Sequence, residues 1–266
     1  AADGYEVFAG ARRAEGLEAI ATAAATAGAT DVHPVTLDVC DDASVASAFA
    51  DISAGGPVDV LVNNAGITGA GSVEETPIDV YQAMFDTNVL GVVRCTQAVL
   101  PGMREAGSGR IVNISSSSAV VSPPLMAAYA STKRAVESIG ESLQAEVAPF
   151  GIRVVLVQAG TILTPIWGKS EAPPADTAYP LARDFLLKVL AHQLTTSGVT
   201  PETVADAIAA AVADDAPALR HRVADAEVLA GMRERIRDDE LFGVYFLEGR
   251  EFESRYHELS GIDYWA

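Results

Sequence analysis

Six short apolar runs recur along the chain, and stretches with helical spacing separate them. Several runs keep apolar residues at consecutive positions, which is typical of strands that helices cover on both faces. Strands that alternate with helices indicate βαβ units around a parallel sheet. We therefore predict an α/β fold with a doubly wound parallel sheet in a single domain. The predicted strands span residues 6–9, 31–37, 58–63, 109–115, 152–158 and 219–224.

Helical spacing predicts six helices between these strands. Pro77 and Pro201 stand where two of them begin, a position that tolerates a missing N–H group. Gly151 follows another helix, where glycine commonly ends a helix. The predicted helices lie at about residues 15–22, 43–53, 77–104, 128–149, 179–197 and 201–213.

The composition excludes several classes of partner. At 266 residues the chain fits one large domain, and its net charge of −18 argues against nucleic acid and anionic membranes. The chain has no apolar run of about 18 residues and no signal-like start, so we expect a soluble, cytoplasmic protein. Cys40 and Cys95 have no zinc or CxxC spacing and are expected to be reduced thiols. The four histidines also lack metal-ligand spacing, and we expect no metal.

Tyr129 and Lys133 open one of the predicted helices. Residues four apart share a helix face, so the ammonium and the phenol are neighbours. An ammonium beside a phenol favours the phenolate and lowers the pKa of the tyrosine, which helps it to exchange protons near neutral pH. By itself such a pair is more often a surface pair than a catalytic one.

Three other features accompany this pair. Ser116 follows the fourth predicted strand at its carboxyl end, where open α/β sheets bind ligands. Asn88 lies among apolar residues of a helix, where its side chain must find buried hydrogen-bond partners. The run Asn63-Asn-Ala-Gly66 follows the third predicted strand, and its small residues allow a flat ligand to approach the backbone.

In this order, these motifs resemble the short-chain dehydrogenase/reductase family over roughly residues 5–225. The resemblance implies a Rossmann-like sheet and hydride transfer between a nicotinamide cofactor and a hydroxyl or carbonyl group. It also implies a homodimer or homotetramer, with the long helices at 77–104 and 128–149 in the interface.

The resemblance assigns a role to each motif residue. Tyr129 is the general acid/base, and Ser116 hydrogen-bonds the substrate oxygen. Lys133 lowers the pKa of the tyrosine and holds the nicotinamide ribose, and Asn88 fixes a water in the proton relay. The serine run at 115–118 leaves a shift of one place open for Ser116.

The turn after the first predicted strand, Gly10-Ala-Arg-Arg13, bears on the choice of cofactor. An acidic side chain there would bind the adenosine ribose hydroxyls, but Ala11 holds that place and Arg12 offers a forked cation suited to phosphate. We therefore expect NADP(H) rather than NAD(H). Asp38 and Val39 resemble the adenine-contacting pair of the family, although Asp38 also fits a strand end or a helix cap.

Further cofactor contacts follow the strand at 152–158, in the segment from Ala159 to Pro165. The family usually has Pro-Gly here, and this chain has Ala159 before Gly160. By resemblance, Gly160 keeps the turn, and Ile162 and Thr164 contact the nicotinamide amide. The remaining residues that the resemblance places on the cofactor are Asn64, Ala65, Gly66, Tyr129 and Lys133.

The resemblance makes residues 165–198 a lid over a small, hydrophobic alcohol or ketone. The domain is expected to span 1–238, and the aromatic-rich tail at 239–266 closes the active site, wraps a neighbouring subunit or docks as a helix. The apolar residues expected in the lid and beside it are Ile166, Trp167, Phe185, Leu186, Leu187, Leu190, Leu125 and Met126.

The glycine-rich turn of the family, Thr-Gly-x-x-x-Gly-x-Gly, is absent from the sequence. Such a turn presents N–H groups to phosphates. Residues 1–4 look like the end of a helix, so we expect the first strand to be missing. Three explanations compete: a truncated or mis-started chain, a variant whose tail refills the slot, or loss of cofactor chemistry. The retained cofactor motifs favour truncation.

Two rival functions stay open on these residues. One is a non-redox enzyme (an isomerase, lyase or cyclase) that reuses the acid–base residues, and turnover without nicotinamide would identify it. The other is a non-catalytic binding or assembly subunit, which would bind ligand without turnover.

Overall fold

The computed structural model describes residues 4–164, 166 and 172–265. Pro165 and Trp167, which the sequence analysis named in the cofactor loop and the lid, lie outside the described residues. The same holds for residues 1–3, which were interpreted as a helix end.

The described chain contains six strands, each within about two residues of its predicted position. Helices follow the strands in the order that the alternating pattern predicts. The strands are β1 (Val7–Ala11), β2 (Val32–Thr36), β3 (Val60–Asn63), β4 (Gly109–Ser116), β5 (Ile152–Ala159) and β6 (Arg220–Val223). The α-helices are α1 (Ala14–Thr26), α2 (Asp42–Ser53), α3 (Ile78–Phe85), α4 (Gly91–Ala106), α5 (Ala127–Val147), α6 (Pro180–His192), α7 (Pro201–Ala213), α8 (Ala226–Arg235), α9 (Asp238–Gly243) and α10 (Gly249–Ser260).

All strand pairs are parallel, which confirms the predicted α/β class. Strands β3, β4, β5 and β6 form one sheet in that order, and β1 and β2 form a second sheet. The register pairs Asn63 with Asn113 and Ser116 with Ala159. The carboxyl ends of β3, β4 and β5 therefore meet at one edge.

The expectation that the first strand is missing is not supported. Strand β1 is present and pairs with β2 along its whole length, from Val7 opposite Val32 to Ala11 opposite Thr36. The expectation relied on the missing glycine turn and on residues that lie outside the described range. Within that range β3 pairs only with β4, and Val62 on β3 is 40% exposed.

Helices cover both faces of the larger sheet. On one face, α5 comes so close to β5 that a Cβ at Gly140 would lie 2.7 Å from Leu156. On the same face, a Cβ at Gly109 would lie 2.6 Å from the Met103 sulfur of α4. On the other face, α7 packs on the buried valines of β4 and β5. These contacts explain why the strands carry consecutive apolar residues.

The helix predicted at 77–104 contains a wider turn. After α3, a π-helical turn spans Asp86–Leu90 before α4 begins, and Asn88 lies in it. Such turns are rare and recur at functional sites. A second π turn, Gln193–Ser197, follows α6 where the sequence predicted a regular helix.

The tail after β6 packs on helix α6. Its aromatic side chains surround Phe185, whose ring lies 4.9 Å from the Tyr256 ring and 6.4 Å from the Tyr264 ring. Lys188 of the same helix lies over the Trp265 ring. None of the helices in the described part of the chain is long and apolar enough to cross a membrane.

The central strands are expected to dominate stability. Replacing Ile111, which is fully buried in β4, by Ala should lower the free energy of unfolding by about 2–5 kcal/mol, because the cavity left behind cannot collapse. The exposed Ile78 provides a matched control, since Ile78→Ala should stay within about 0.5 kcal/mol. Urea unfolding measures both, and equal losses would contradict the assignment of the core.

Candidate active site

A cavity of about 620 Å³ opens at the carboxyl edge of β3, β4 and β5. Loops after these strands form its floor, and helices α5 and α6 form its sides. It brings together most of the site residues that the sequence predicted. Those that line it are Asn64, Ala65, Gly66, Ser116, Tyr129, Lys133, Gly160, Ile162 and Thr164.

Tyr129 lies in the first turn of α5 and points its phenol at the end of β4. Its hydroxyl hydrogen-bonds with Ser116. Burial raises the pKa of Tyr129 above its ordinary value, and the Ser116 hydrogen bond opposes that shift. The phenol is therefore protonated at neutral pH in the chain by itself.

The serines of the run at 115–118 differ in their hydrogen bonds. Ser116 Oγ accepts a hydrogen bond from Ser118 N at 3.1 Å, which fixes its side chain at the strand end. Ser115 Oγ is buried and has no hydrogen-bond partner among the described residues. The geometry thus favours Ser116 as the serine that works with Tyr129.

Lys133 is buried below the cavity, with 6% of its surface exposed. Its Nζ donates to the Ile114 carbonyl at 2.7 Å and lies 5.8 Å from the centre of the Tyr129 ring. Burial lowers the pKa of Lys133 to about 8. The lowering of the tyrosine pKa by Lys133 stays a prediction, since in this structure the amine is directed to the Ile114 carbonyl.

Asn88 clamps the loop after β3 to α5. It is 1% exposed, and its Oδ1 accepts from Ile67 N at 2.8 Å. Its Nδ2 donates to Ile67 O at 2.9 Å and to Thr132 Oγ1 at 3.0 Å. The prediction that this buried amide finds partners is confirmed. A Cβ at neighbouring Gly66 would lie 3.4 Å from Asn88 Oδ1 and 3.9 Å from Lys133 Nζ, so glycine keeps the polar groups open to the cavity.

A second buried amide pair was missed in the sequence. Asn63 Nδ2 donates to Asn113 Oδ1 at 2.8 Å and to Thr96 Oγ1 at 3.3 Å. These bonds tie the ends of β3 and β4 to α4. The signal was present in the sequence, since Asn113 interrupts an apolar strand.

Three predicted cofactor residues lie outside the cavity. Arg12 is exposed in the turn between β1 and α1 and forms no ion pair with any described residue. Asp38 Oδ1 accepts from Cys40 N at 3.0 Å, whereas Asp41 caps α2. Val39 packs closely against Gly91 of α4. Asp38 thus occupies a strand-end turn, as its structural alternative predicted.

Helix α6, the helix of the expected lid, and the described part of the tail at 239–266 form an apolar wall over the cavity. Met126 joins this wall, while Leu125 and Leu187 do not line the cavity. Of the alternatives for the tail, the described residues place it at the active site, through Tyr256 and Tyr264. The remaining wall residues are Ile166, Phe185, Leu186, Val189, Leu190, Val121, Pro123 and Leu229.

The floor of the cavity fits a nicotinamide nucleotide. Small residues at Ala65, Gly66 and Gly160 leave room for a flat ring against the backbone. Lys133 offers a buried amine beside them, at the carboxyl edge where such sheets bind nucleotides.

Comparison with known proteins agrees with this geometry. The family model described as short chain dehydrogenase matches residues 1–175. An uncharacterized oxidoreductase of Bacillus subtilis, YusZ, is 37% identical over 210 residues, which cover 77% of this chain and 75% of the relative. Human retinol dehydrogenase 8 is 34% identical over 226 residues, covering 82% and 72% respectively.

Solved structures share the fold. A short-chain dehydrogenase from Streptomyces avermitilis superposes with a TM-score of 0.75 at 35% identity, over 86% of this chain and 83% of that one. A gluconate 5-dehydrogenase from Burkholderia cenocepacia, solved with NADP and tartrate, gives a TM-score of 0.59 at 29% identity, over 68% and 69%. The chain belongs to the short-chain dehydrogenase/reductase family of Rossmann-like, NAD(P)-dependent oxidoreductases.

Replacing Lys133 by Met should raise the free energy of unfolding at pH 7 by roughly 1–3 kcal/mol, since Met fills the site without a buried charge. The folded-state pKa lies below the unfolded one, so the cost of the charge is full below pH 8 and fades between about pH 8 and 10.5. The difference in free energy of unfolding between Lys133→Met and wild type should therefore shrink as the pH rises from about 8 to 10.5.

Urea unfolding of wild type and variant at about pH 7 and pH 10 tests this. Lys188→Met, at an exposed position, is the control and should show no such gain. A Lys133→Met variant less stable than wild type at pH 7 would contradict the interpretation.

Proposed function

We propose that this chain is an NADP(H)-dependent oxidoreductase that interconverts a hydrophobic secondary alcohol and its ketone, with Tyr129 as general acid/base. The observation that carries the proposal is the Tyr129 phenol. It hydrogen-bonds with Ser116 at the sheet edge and lines a cavity whose upper wall is apolar.

The bound nicotinamide would supply the two-electron redox chemistry, and the chain's residues handle the substrate oxygen and its proton. Ser116 and Tyr129 bind that oxygen through their hydroxyls, and Ser116 steadies the negative charge that develops on it. Tyr129 gives its proton to the oxygen in reduction and takes it back in oxidation. Burial raises the pKa of the phenol, so in the nucleotide-free chain Tyr129 carries the proton that reduction would use.

Lys133 and Asn88 assist this proton exchange without contacting the substrate oxygen. With a pKa of about 8, the Lys133 amine can take up and release protons near neutral pH, and we assign it to the nicotinamide ribose because it lines the floor of the cavity. Asn88 holds the loop at Ile67 in position. The water that the resemblance assigns to Asn88 stays a prediction.

The character of the wall supports the substrate class. Lid and tail present mainly apolar and aromatic side chains to the cavity, so burial of an apolar substrate is favourable and burial of a charged one is costly. Retinol dehydrogenase 8, among the relatives, is named for a lipophilic alcohol.

The preference for NADP(H) is supported by Arg12. Its guanidinium is exposed and free of ion pairs with the described residues, so it is available to a phosphate. The related gluconate 5-dehydrogenase was solved with NADP. We also propose a homodimer or homotetramer through the long helices, where Val80 and Leu90 are exposed apolar residues.

Tyr129→Phe should lower kcat for reduction of a hydrophobic ketone by about 10²- to 10⁴-fold, because the phenyl ring has no proton to give. The affinity for NADPH should stay close to that of wild type. Steady-state kinetics and calorimetric titration measure the two quantities. Tyr5→Phe, at an exposed position, is the control, and wild-type turnover by Tyr129→Phe would refute the proposal.

Arg12→Ala should weaken NADPH binding by about tenfold or more, the loss expected for a charge-assisted hydrogen bond, and leave NADH binding unchanged. Titration of both nucleotides measures the ratio. Arg13→Ala, a matched change one residue on, separates this effect from the loss of net charge. If Arg12→Ala weakened the binding of NADPH and NADH equally, Arg12 would have no role in selecting NADP(H).

A further inference from the structure

Asp225 is a buried carboxylate that the proposed chemistry does not use. It follows β6 directly, at the start of α8, and is 6% exposed. No lysine, arginine or histidine among residues 4–164, 166 and 172–265 forms an ion pair with it, so only neutral groups hold the carboxylate. Burying a carboxylate without a cation is costly, so its hydrogen bonds must offset much of that cost.

The two oxygens of Asp225 bind two different walls of the cavity. Oδ1 accepts from Thr161 N at 3.3 Å, in the loop that carries Ile162 and Thr164. Oδ2 accepts from Gln193 Nε2 at 2.6 Å, in the π turn that ends the lid helix. Thr161 and Gln193 both line the cavity. Asp225 therefore joins the loop expected to hold the nicotinamide to the lid expected to cover the substrate.

Gly160 has room for no side chain because of this carboxylate. A Cβ there would overlap Asp225 Oδ1, and the Gly160 N–H is committed to the Val223 carbonyl at 3.0 Å. The backbone of the loop is thus pressed against Asp225. Since this chain has Ala159 where the family usually has proline, the carboxylate supplies a restraint that the backbone lacks.

A different carboxylate binds the segment just before helix α6 of the lid. Glu75 Oε2 accepts from Thr177 Oγ1 at 2.6 Å, and its Oε1 accepts from Ala178 N at 2.8 Å. Glu75 is exposed, so its bonds compete with water, and none of its hydrogen bonds reaches the described part of the cofactor loop, residues 159–164. Helix α6 is therefore held from the interior after its last turn and from the surface before its first turn.

We propose that Asp225 is a positioning residue that couples the lid to the cofactor loop, so that ordering of one by its ligand orders the other. This coupling rests on the proposed function for the identity of the two ligands. It predicts in addition that the affinities for nucleotide and for ketone both depend on the hydrogen bonds of Asp225.

Asp225→Asn weakens both links while preserving the shape of the side chain. The amide oxygen can still accept from Thr161 N, and Gln193 can turn its own amide over to accept from the new amide nitrogen, but both bonds lose the negative charge that strengthens them. The double variant D225N/Q193E restores a charge-assisted bond to the lid in reverse, because the amide introduced at position 225 can donate to the carboxylate introduced at position 193. The swap also keeps the net charge of the pair.

The experiment compares wild type, D225N, D225N/Q193E and E75Q as full chains. Calorimetry gives the Kd for NADPH, and steady-state kinetics give KM and kcat for a hydrophobic ketone. D225N should raise both Kd and KM by about tenfold, with a smaller change in kcat. The swap should restore both constants, and E75Q should leave the Kd for NADPH unchanged.

Hydrogen exchange separates this proposal from the proposed function. In the nucleotide-free chain, D225N should speed amide exchange in the 160–164 loop and at Gln193–Ser197 together, whether or not the chain turns over a ketone. If D225N does not fold, Gln193→Met removes the same link from the lid side and should raise the Kd for NADPH. A D225N protein with lower stability but unchanged Kd, KM and exchange would overturn the coupling, as would failure of the swap to restore them.

Discussion

The closeness of helix α5 to strand β5 is the contact on which the site depends. Gly140 has no room for a side chain against Leu156, so the helix axis cannot move away from or along the sheet without losing this fit. That fit sets the height at which the first turn of α5 meets the end of β4. Tyr129 and Lys133 then reach Ser116 and the Ile114 carbonyl without further adjustment. The geometry of the candidate site therefore depends on how closely this helix packs on the sheet.

Buried polar groups hold the rest of the arrangement. Asn88 joins the loop after β3 to α5, and Asn63 with Asn113 joins two strand ends to α4. Each of these side chains sits where the sheet edge would otherwise leave loops to move. Lys133 differs from these amides, because burying its charged amine lowers its pKa and lowers the stability of the folded chain. The same burial keeps a basic group beside the cavity.

Much of this was predictable from sequence, and the failures have identifiable physical causes. Strands and helices followed from local periodicity, and the family resemblance singled out Ser116, Tyr129 and Lys133, which the fold brings to one cavity. The role of Asp225 was not predictable, because its partners lie 32 and 64 residues away and only the fold brings them together. The burial of Tyr129, which raises its pKa, was not predictable either, because sequence spacing does not report how deeply a side chain is buried.

The π turn at Asp86–Leu90 has an evolutionary consequence. It holds one more residue than a regular turn would, and that surplus turns Asn88 inward. Losing a single residue there would restore an ordinary helix but rotate everything on one side of the deletion by about 100° relative to the other. A deletion that made the helix regular would therefore also remove the hydrogen bonds of Asn88 to Ile67 and Thr132. The length of this helix is therefore constrained more tightly than its composition.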